Sequence, residues 1–142
     1  MMPRPIDQSK RVLSRQSGSA IVEFTLVALM FFMLSLGLAE MGRAVFDYNI
    51  VSSLAREGVR WASVRGSASG HAATDVNISD YVKSKASGMN LTVTVTWTPA
   101  NDNSPGKTVN VQVLYNFRSI APVLLSLGTI PLSSTSHMVI VQ

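Results

Sequence analysis

The apolar positions of the chain change spacing twice, and each change marks a different kind of element. Residues 24–39 contain no charged side chain, and extending the run back to Ala20 gives twenty residues interrupted only by Glu23. At about 1.5 Å per residue such a helix spans a bilayer core of roughly 30 Å. Residues 42–65 contain no proline, and Ala44, Tyr48, Val51, Ala55, Gly58 and Ala62 recur at steps of three or four, as one face of a helix requires. Arg43, Asp47, Arg56, Glu57 and Arg60 occupy other positions. The spacing predicts one helix from about Ser19 to Arg65, roughly 70 Å long at 1.5 Å per residue, half membrane-apolar and half amphipathic. The small-residue face has two readings, a helix covered by its own domain or close packing against neighbouring copies, and both can hold on different turns.

Residues 66–70 combine Gly66 and Gly70 with Ser67 and Ser69, a helix stop and loop. A short second helix is predicted next, capped by Thr74 or Asp75, with Ile78, Val82 and Ala86 as a narrow apolar stripe ending near Gly88. Leu91, Val93, Val95 and Trp97 then alternate with Thr92, Thr94, Thr96 and Thr98, the period of two of a half-buried strand. Asn101, Asp102, Asn103, Ser104, Pro105 and Gly106 form a polar connection, after which Val109, Val111, Val113, Tyr115 and Phe117 resume the alternation, so the pair reads as a hairpin. Pro122 and Pro131 bracket an apolar connection at 123–127, and residues 133–141, with β-branched Thr135, Val139, Ile140 and Val141, predict a third strand. The fold class is α+β: a long N-terminal transmembrane and amphipathic α-helix, a short second helix and a small antiparallel sheet, with an outer domain over 71–142. The back half of the long helix is expected to cover one sheet face; sheet order is not readable.

Composition sharpens this picture. Of 142 residues, 46% are hydrophobic and 14% charged, which excludes overall disorder and fits one ordinary domain plus a concentrated apolar segment. The net charge of +4 points at first to nucleic acid, but Arg4, Lys10, Arg11 and Arg15 against Asp7 place +3 in the first eighteen residues and leave about +1 elsewhere. No nucleic-acid partner is expected. The basic residues before the run, against Glu40 and Asp47 diluting Arg43 after it, predict a cytoplasmic amino terminus and an outward-facing C-terminal domain. A cleaved secretory signal is the competing reading, since Gly37, Leu38 and Ala39 suit a signal peptidase. Against it, the run exceeds the roughly 7–15 residues of a signal core, and the helix pattern continues beyond it.

Candidate chemistry is sparse. With no cysteine, a disulfide framework, a thiol nucleophile and a cysteine metal site are excluded. Ser104, Pro105, Gly106, Lys107 and Thr108 look like the end of a phosphate-binding loop, but Asn101 stands where the pattern needs glycine and a strand follows. His71 and His137 have no carboxylate cluster at ligand spacing. The serines sit in loops without a nucleophile-elbow pattern. Asn77 and Asn90 begin glycosylation sequons, short enough to arise by chance. Neither an enzyme nor a cofactor is expected. Glu23 is the exception to this plainness: a carboxylate inside an apolar membrane segment costs about 2–4 kcal/mol unless it is paired or lies at headgroup level.

The string Arg15-Gln16-Ser17-Gly18-Ser19-Ala20-Ile21-Val22-Glu23-Phe24 resembles a type IV prepilin processing site, in particular that of the Tad (Flp) pilus system. Glu40-Met41-Gly42-Arg43, Ala55-Arg56-Glu57-Gly58-Val59-Arg60 and the later hairpin with Pro105 and Gly106 are similar to the TadE-like family of minor pilins and pseudopilins. The resemblance implies a pilin-like fold in which residues 1–18 are a leader removed by a prepilin peptidase between Gly18 and Ser19, and residues 19–66 are the long helix, with its transmembrane half at about 20–40. It implies that Glu23, with Phe24 beside it, serves subunit assembly through the terminal amine of a neighbour, and that Gly42, Arg56, Glu57, Gly58 and Arg60 serve helix packing. The partners implied are the prepilin peptidase, other pilins or pseudopilins of the same system and the inner-membrane assembly platform. The function implied is initiation, capping or other assembly of the pilus, since a folded outer domain differs from the very small major subunit of such pili. A membrane-anchored envelope module for binding or adhesion, with no filament role, is the alternative.

Overall fold

A computed structural model describes residues 9–86, 88–120 and 128–142, with side chains from Gly18 onward. The expected apolar connection at 123–127, with Pro122, lies outside the described residues, as do the first eight residues of the leader. The first helix, α1, runs Ser9–Ser63. It begins ten residues before the expected start, because no proline occurs between Pro5 and Pro99 and the first glycine, Gly18, is tolerated inside a helix. Two compact units divide the chain, Met1–Ala39 and Glu40–Gln142, so the second half of α1 is part of the outer unit.

In the outer unit, α1 ends where the Ser63 Oγ turns back on the Arg60 carbonyl (3.0 Å) and the Arg65 amide on that of Ala62 (2.9 Å). Gly66 follows for a reason of space. A Cβ there would collide with the carbonyl oxygen of Gln142 and the side chain of Ile140, so only glycine lets the chain end pass. The second helix, α2, spans Asp75–Lys85; Thr74 caps it by accepting from the Asn77 amide (3.3 Å), with Asp75 in the first turn and Lys83 and Lys85 in the last. Ile78, Val82 and Ala86 are buried, as the stripe predicted.

Three antiparallel strands, β1 (Leu91–Thr98), β2 (Thr108–Phe117) and β3 (Ile130–Val139), form one sheet in the order β1-β2-β3. Val93 faces Val113, and Val95 faces Val111. Val109, Val111 and Val113 are completely buried while Gln112 is exposed, which fixes the inner face as expected. The strand β3 begins and ends earlier than the expected 133–141. Pro131 lies inside it, opposite Asn116. As an edge strand, β3 pairs on one side only and tolerates a residue without an N–H. Ile140 and Val141 leave the strand but stay tied, through the Ile140 amide to Lys107 O and the Val141 amide to Ser63 O (2.8 Å each).

The core lies between the inner sheet face, α2 and the second half of α1. Val51, Ala55, Val59 and Ala62 are fully buried, whereas Tyr48 one turn earlier remains exposed. From Val51 onward the small-residue face is therefore covered by its own domain. Gly58 is the tightest point: a Cβ there would stand 2.8 Å from Val82 Cγ2 and 3.2 Å from Val111 Cγ1. The fold is α+β, with a long apolar-to-amphipathic helix, one short helix and a three-stranded antiparallel sheet.

Candidate functional site

From Gly18 to Ala39 the helix presents apolar side chains outward on every side. Phe24 is 73% exposed and Met30 72%. The two hydroxyls in the run are satisfied within the helix, Thr25 Oγ1 donating to Ile21 O and Ser35 Oγ to Phe31 O (2.8 Å each). This is how a polar side chain becomes compatible with hydrocarbon. Gly18–Ser63 contains a stretch long and apolar enough to cross a membrane. Glu23 is the one charge within residues 20–39; it is exposed, and among the described residues no cation lies against it. Gly18 and Ser19 are likewise exposed, and a Cβ at Gly18 would meet nothing within 4 Å.

Just beyond the apolar run stands a buried carboxylate that entered the sequence reading as a diluting charge and as part of the Glu40-Met41-Gly42-Arg43 string, with no packing role assigned. Glu40 is 6% exposed and is held by Arg43 Nη1 at 3.3 and 3.1 Å and by the Ile120 amide, which donates to its Oε1 at 3.0 Å. The Arg43 guanidinium also lies 5.2 Å from the ring centroid of Phe117, which is buried. One ion pair on α1 thereby anchors the end of β2. Opposite charges three apart at the end of an apolar run were the available hint.

Sequence-predicted packing residues separate into different settings. Gly42 faces open space and Gly58 lies inside the core. Arg56, Glu57 and Arg60 are exposed and line a groove of about 670 Å³ together with Trp61, Arg65 and Tyr81. Trp61 stacks on Tyr81 with centroids 5.0 Å apart, the Arg65 guanidinium lies 4.1 Å from the Trp61 centroid, and Lys85 Nζ 5.7 Å from that of Tyr81. The Tyr81 hydroxyl donates to Glu57 Oε1 at 2.8 Å, and this bond, with some desolvation and the nearby negative charge, pushes the Tyr81 phenol above its ordinary value. Trp61, Arg65 and Tyr81 were missed by the sequence reading, although Glu57, Trp61 and Arg65 recur every four residues and so share a helix face.

The remaining candidates are structural or peripheral. Lys107 pairs with Asp102 (3.6 Å) in the connection between β1 and β2, and His71 and His137 are exposed. Asn103 is more consequential: its Nδ2 donates to the carbonyls of Ala73 (3.0 Å) and Arg65 (3.4 Å), and its backbone carbonyl accepts from the Ser67 amide (2.8 Å), which clamps the end of α1 to that connection.

A helix with a candidate membrane span, continued into a small α+β unit, is the arrangement consistent with a membrane-anchored class of protein. Residues 18–60 match the family described as TadE-like protein. The match covers nearly all of α1 from Gly18 onward, and similarity to that family points to a Tad pilus-associated protein. The hairpin with Pro105 and Gly106, which the resemblance also drew on, lies outside the matched segment. No curated protein and no solved structure matches the chain.

Proposed function

We propose that the protein is a non-enzymatic minor pilin or pseudopilin that takes part in initiating, capping or otherwise assembling a Tad-type pilus. The observation that carries this reading is the register of the family match, which opens at Gly18, the residue before the proposed cut, and includes Glu23 five positions later. The basic residues Arg4, Lys10, Arg11 and Arg15 hold the leader on the cytoplasmic side of the inner membrane, and the outer unit stands in the periplasm. Prepilin peptidase removes residues 1–18 and leaves an amine on Ser19, protonated near neutral pH.

Glu23 then has a use that matches its cost. A carboxylate exposed on an otherwise apolar helix surface is unfavourable in a bilayer until a cation reaches the same depth. The Ser19 amine of a neighbouring pilin supplies that cation, and because the pair forms only in one register, it also sets the stagger between subunits. Phe24 and the other outward apolar side chains of residues 20–39 supply the packing surface around it. Partner pilins and an inner-membrane assembly platform complete the machinery.

Glu23→Gln tests this directly, since it preserves size and polarity while removing the charge. The variant should reach the membrane at the normal level, yet lose co-purification with its partner pilins and impair piliation. Full piliation with the Gln variant would overturn the assembly role of Glu23.

A further inference from the structure

We infer that the groove formed by Arg56, Arg60, Trp61, Arg65 and Tyr81 is a docking site for an acidic peptide segment of a different protein, outside the membrane. This goes beyond the pilin reading, which places subunit contacts on the apolar half of α1.

Three guanidinium groups converge here around a single carboxylate. Glu57, that carboxylate, accepts from the Tyr81 hydroxyl, while Arg56 and Arg60 are exposed and make neither an ion pair nor a side-chain hydrogen bond among the described residues. Arg65 is held in place, its Nη1 donating to Trp61 O at 3.1 Å while its plane lies over the Trp61 ring. Trp61 is stacked on Tyr81 and carries the Arg65 guanidinium 4.1 Å from its centroid, and Lys85 Nζ lies over Tyr81, so the two half-buried rings position cations at the groove. The free guanidinium forks of Arg56 and Arg60 beside that held cation suit several carboxylates carried on one peptide backbone.

The geometry and the charge of the chain select this occupant over others. Arg56 and Arg60 lie sixteen and twenty residues past Glu40, roughly 24–30 Å of helix at about 1.5 Å per residue, too far for lipid headgroups next to the apolar run. Beyond the first eighteen residues the chain carries only +1, so there is no extended basic stripe for nucleic acid. A second copy is unsuited too, because it has no acidic segment to offer. Glu40 is buried against Arg43, Glu57 is in the groove itself, Asp102 pairs with Lys107, and Asp75 accepts from Trp97 Nε1 at 2.7 Å. Apart from Asp7 in the first eighteen residues and Glu23 in the apolar run, Asp47 and Asp80 remain, far apart in sequence.

The test uses the full chain in detergent and a short synthetic peptide alternating Glu and Ser, labelled for fluorescence anisotropy. The peptide should bind, and its Gln-for-Glu counterpart should not. Arg56→Glu combined with Arg60→Glu, both exposed positions, should weaken binding at least about tenfold with an unchanged circular dichroism spectrum. Glu57→Gln should tighten it by up to about fivefold, a gain that misfolding does not mimic. No peptide binding, equal binding by the double Arg variant, or binding of phosphatidylglycerol vesicles or single-stranded DNA in place of the peptide would each overturn the inference.

Discussion

Leu38 and Val59 lie on one unbroken helix, yet the first is 63% exposed and the second fully buried. The comparison separates two solutions to the same problem of apolar surface. From Ala20 to Ala39 the helix is apolar on every side apart from Glu23, and its large apolar side chains are exposed among the described residues, a surface that suits lipid. From Val51 to Ala62 only one stripe is apolar, and the sheet and α2 cover it to exclusion of water. The glycines follow the same division: Gly42 opens onto space, while at Gly58 a side chain has no room. One helix therefore carries an exposed apolar half and, further on, an apolar stripe covered by its own domain.

The sharpest way to break this contrast is to place charge on each side of it. Val111→Asp should unfold the outer unit, since an unpaired carboxylate on the inner sheet face costs more than about 4 kcal/mol against a total of roughly 5–15. Gln112→Asp, on the outer face, should be nearly neutral; limited proteolysis of the purified protein reads both, and equal behaviour would show the register of β2 to be wrong. Next in size, Gly58→Leu should destabilise by about 1–3 kcal/mol through collision with Val82 and Val111, measured by chemical denaturation. Gly42→Leu should leave that stability intact and instead reduce co-purification with partner pilins if open space there is filled by a neighbour.

Glu40→Ala probes the joint between the two regimes. It strands the Ile120 amide and Arg43 and should cost about 1–3 kcal/mol, with faster hydrogen exchange at Ile120. The smallest effect concerns Asp102, whose carboxyl is held below its ordinary value by hydrogen bonds from the Ser104 side chain and amide and by Lys107. Because its folded value is depressed, its contribution is complete above the unfolded carboxylate range and is lost as pH falls through the folded value. The Ser104 amide resonance should shift with that acidic titration, and Asp102→Asn should abolish the shift.

The alternation of β1 and β2 and the stripe of α2 were legible because burial there follows a strict local period. Glu40 was not, since its second partner, Ile120, is eighty residues away. Tyr81 reaches Glu57 across twenty-four residues, so a groove that joins two helices left no mark in either one's periodicity. The early start of β3 was hidden by Pro131, which reads as a breaker until the strand is known to be an edge. Glu23 stands out in the sequence for the opposite reason: its anomaly is local, while a partner for it is not found among the described residues of its own chain.

The central claim, that the bare half of α1 is a processed pilin helix, is tested most directly by sequencing the amino terminus of the protein isolated from membranes of cells with and without their prepilin peptidase. The expected result is a mature chain beginning at Ser19 in the first and an intact leader in the second, with Gly18→Leu reproducing the unprocessed form. A mature chain beginning at Glu40, independent of that peptidase, would contradict it and restore the apolar run to the role of a discarded signal.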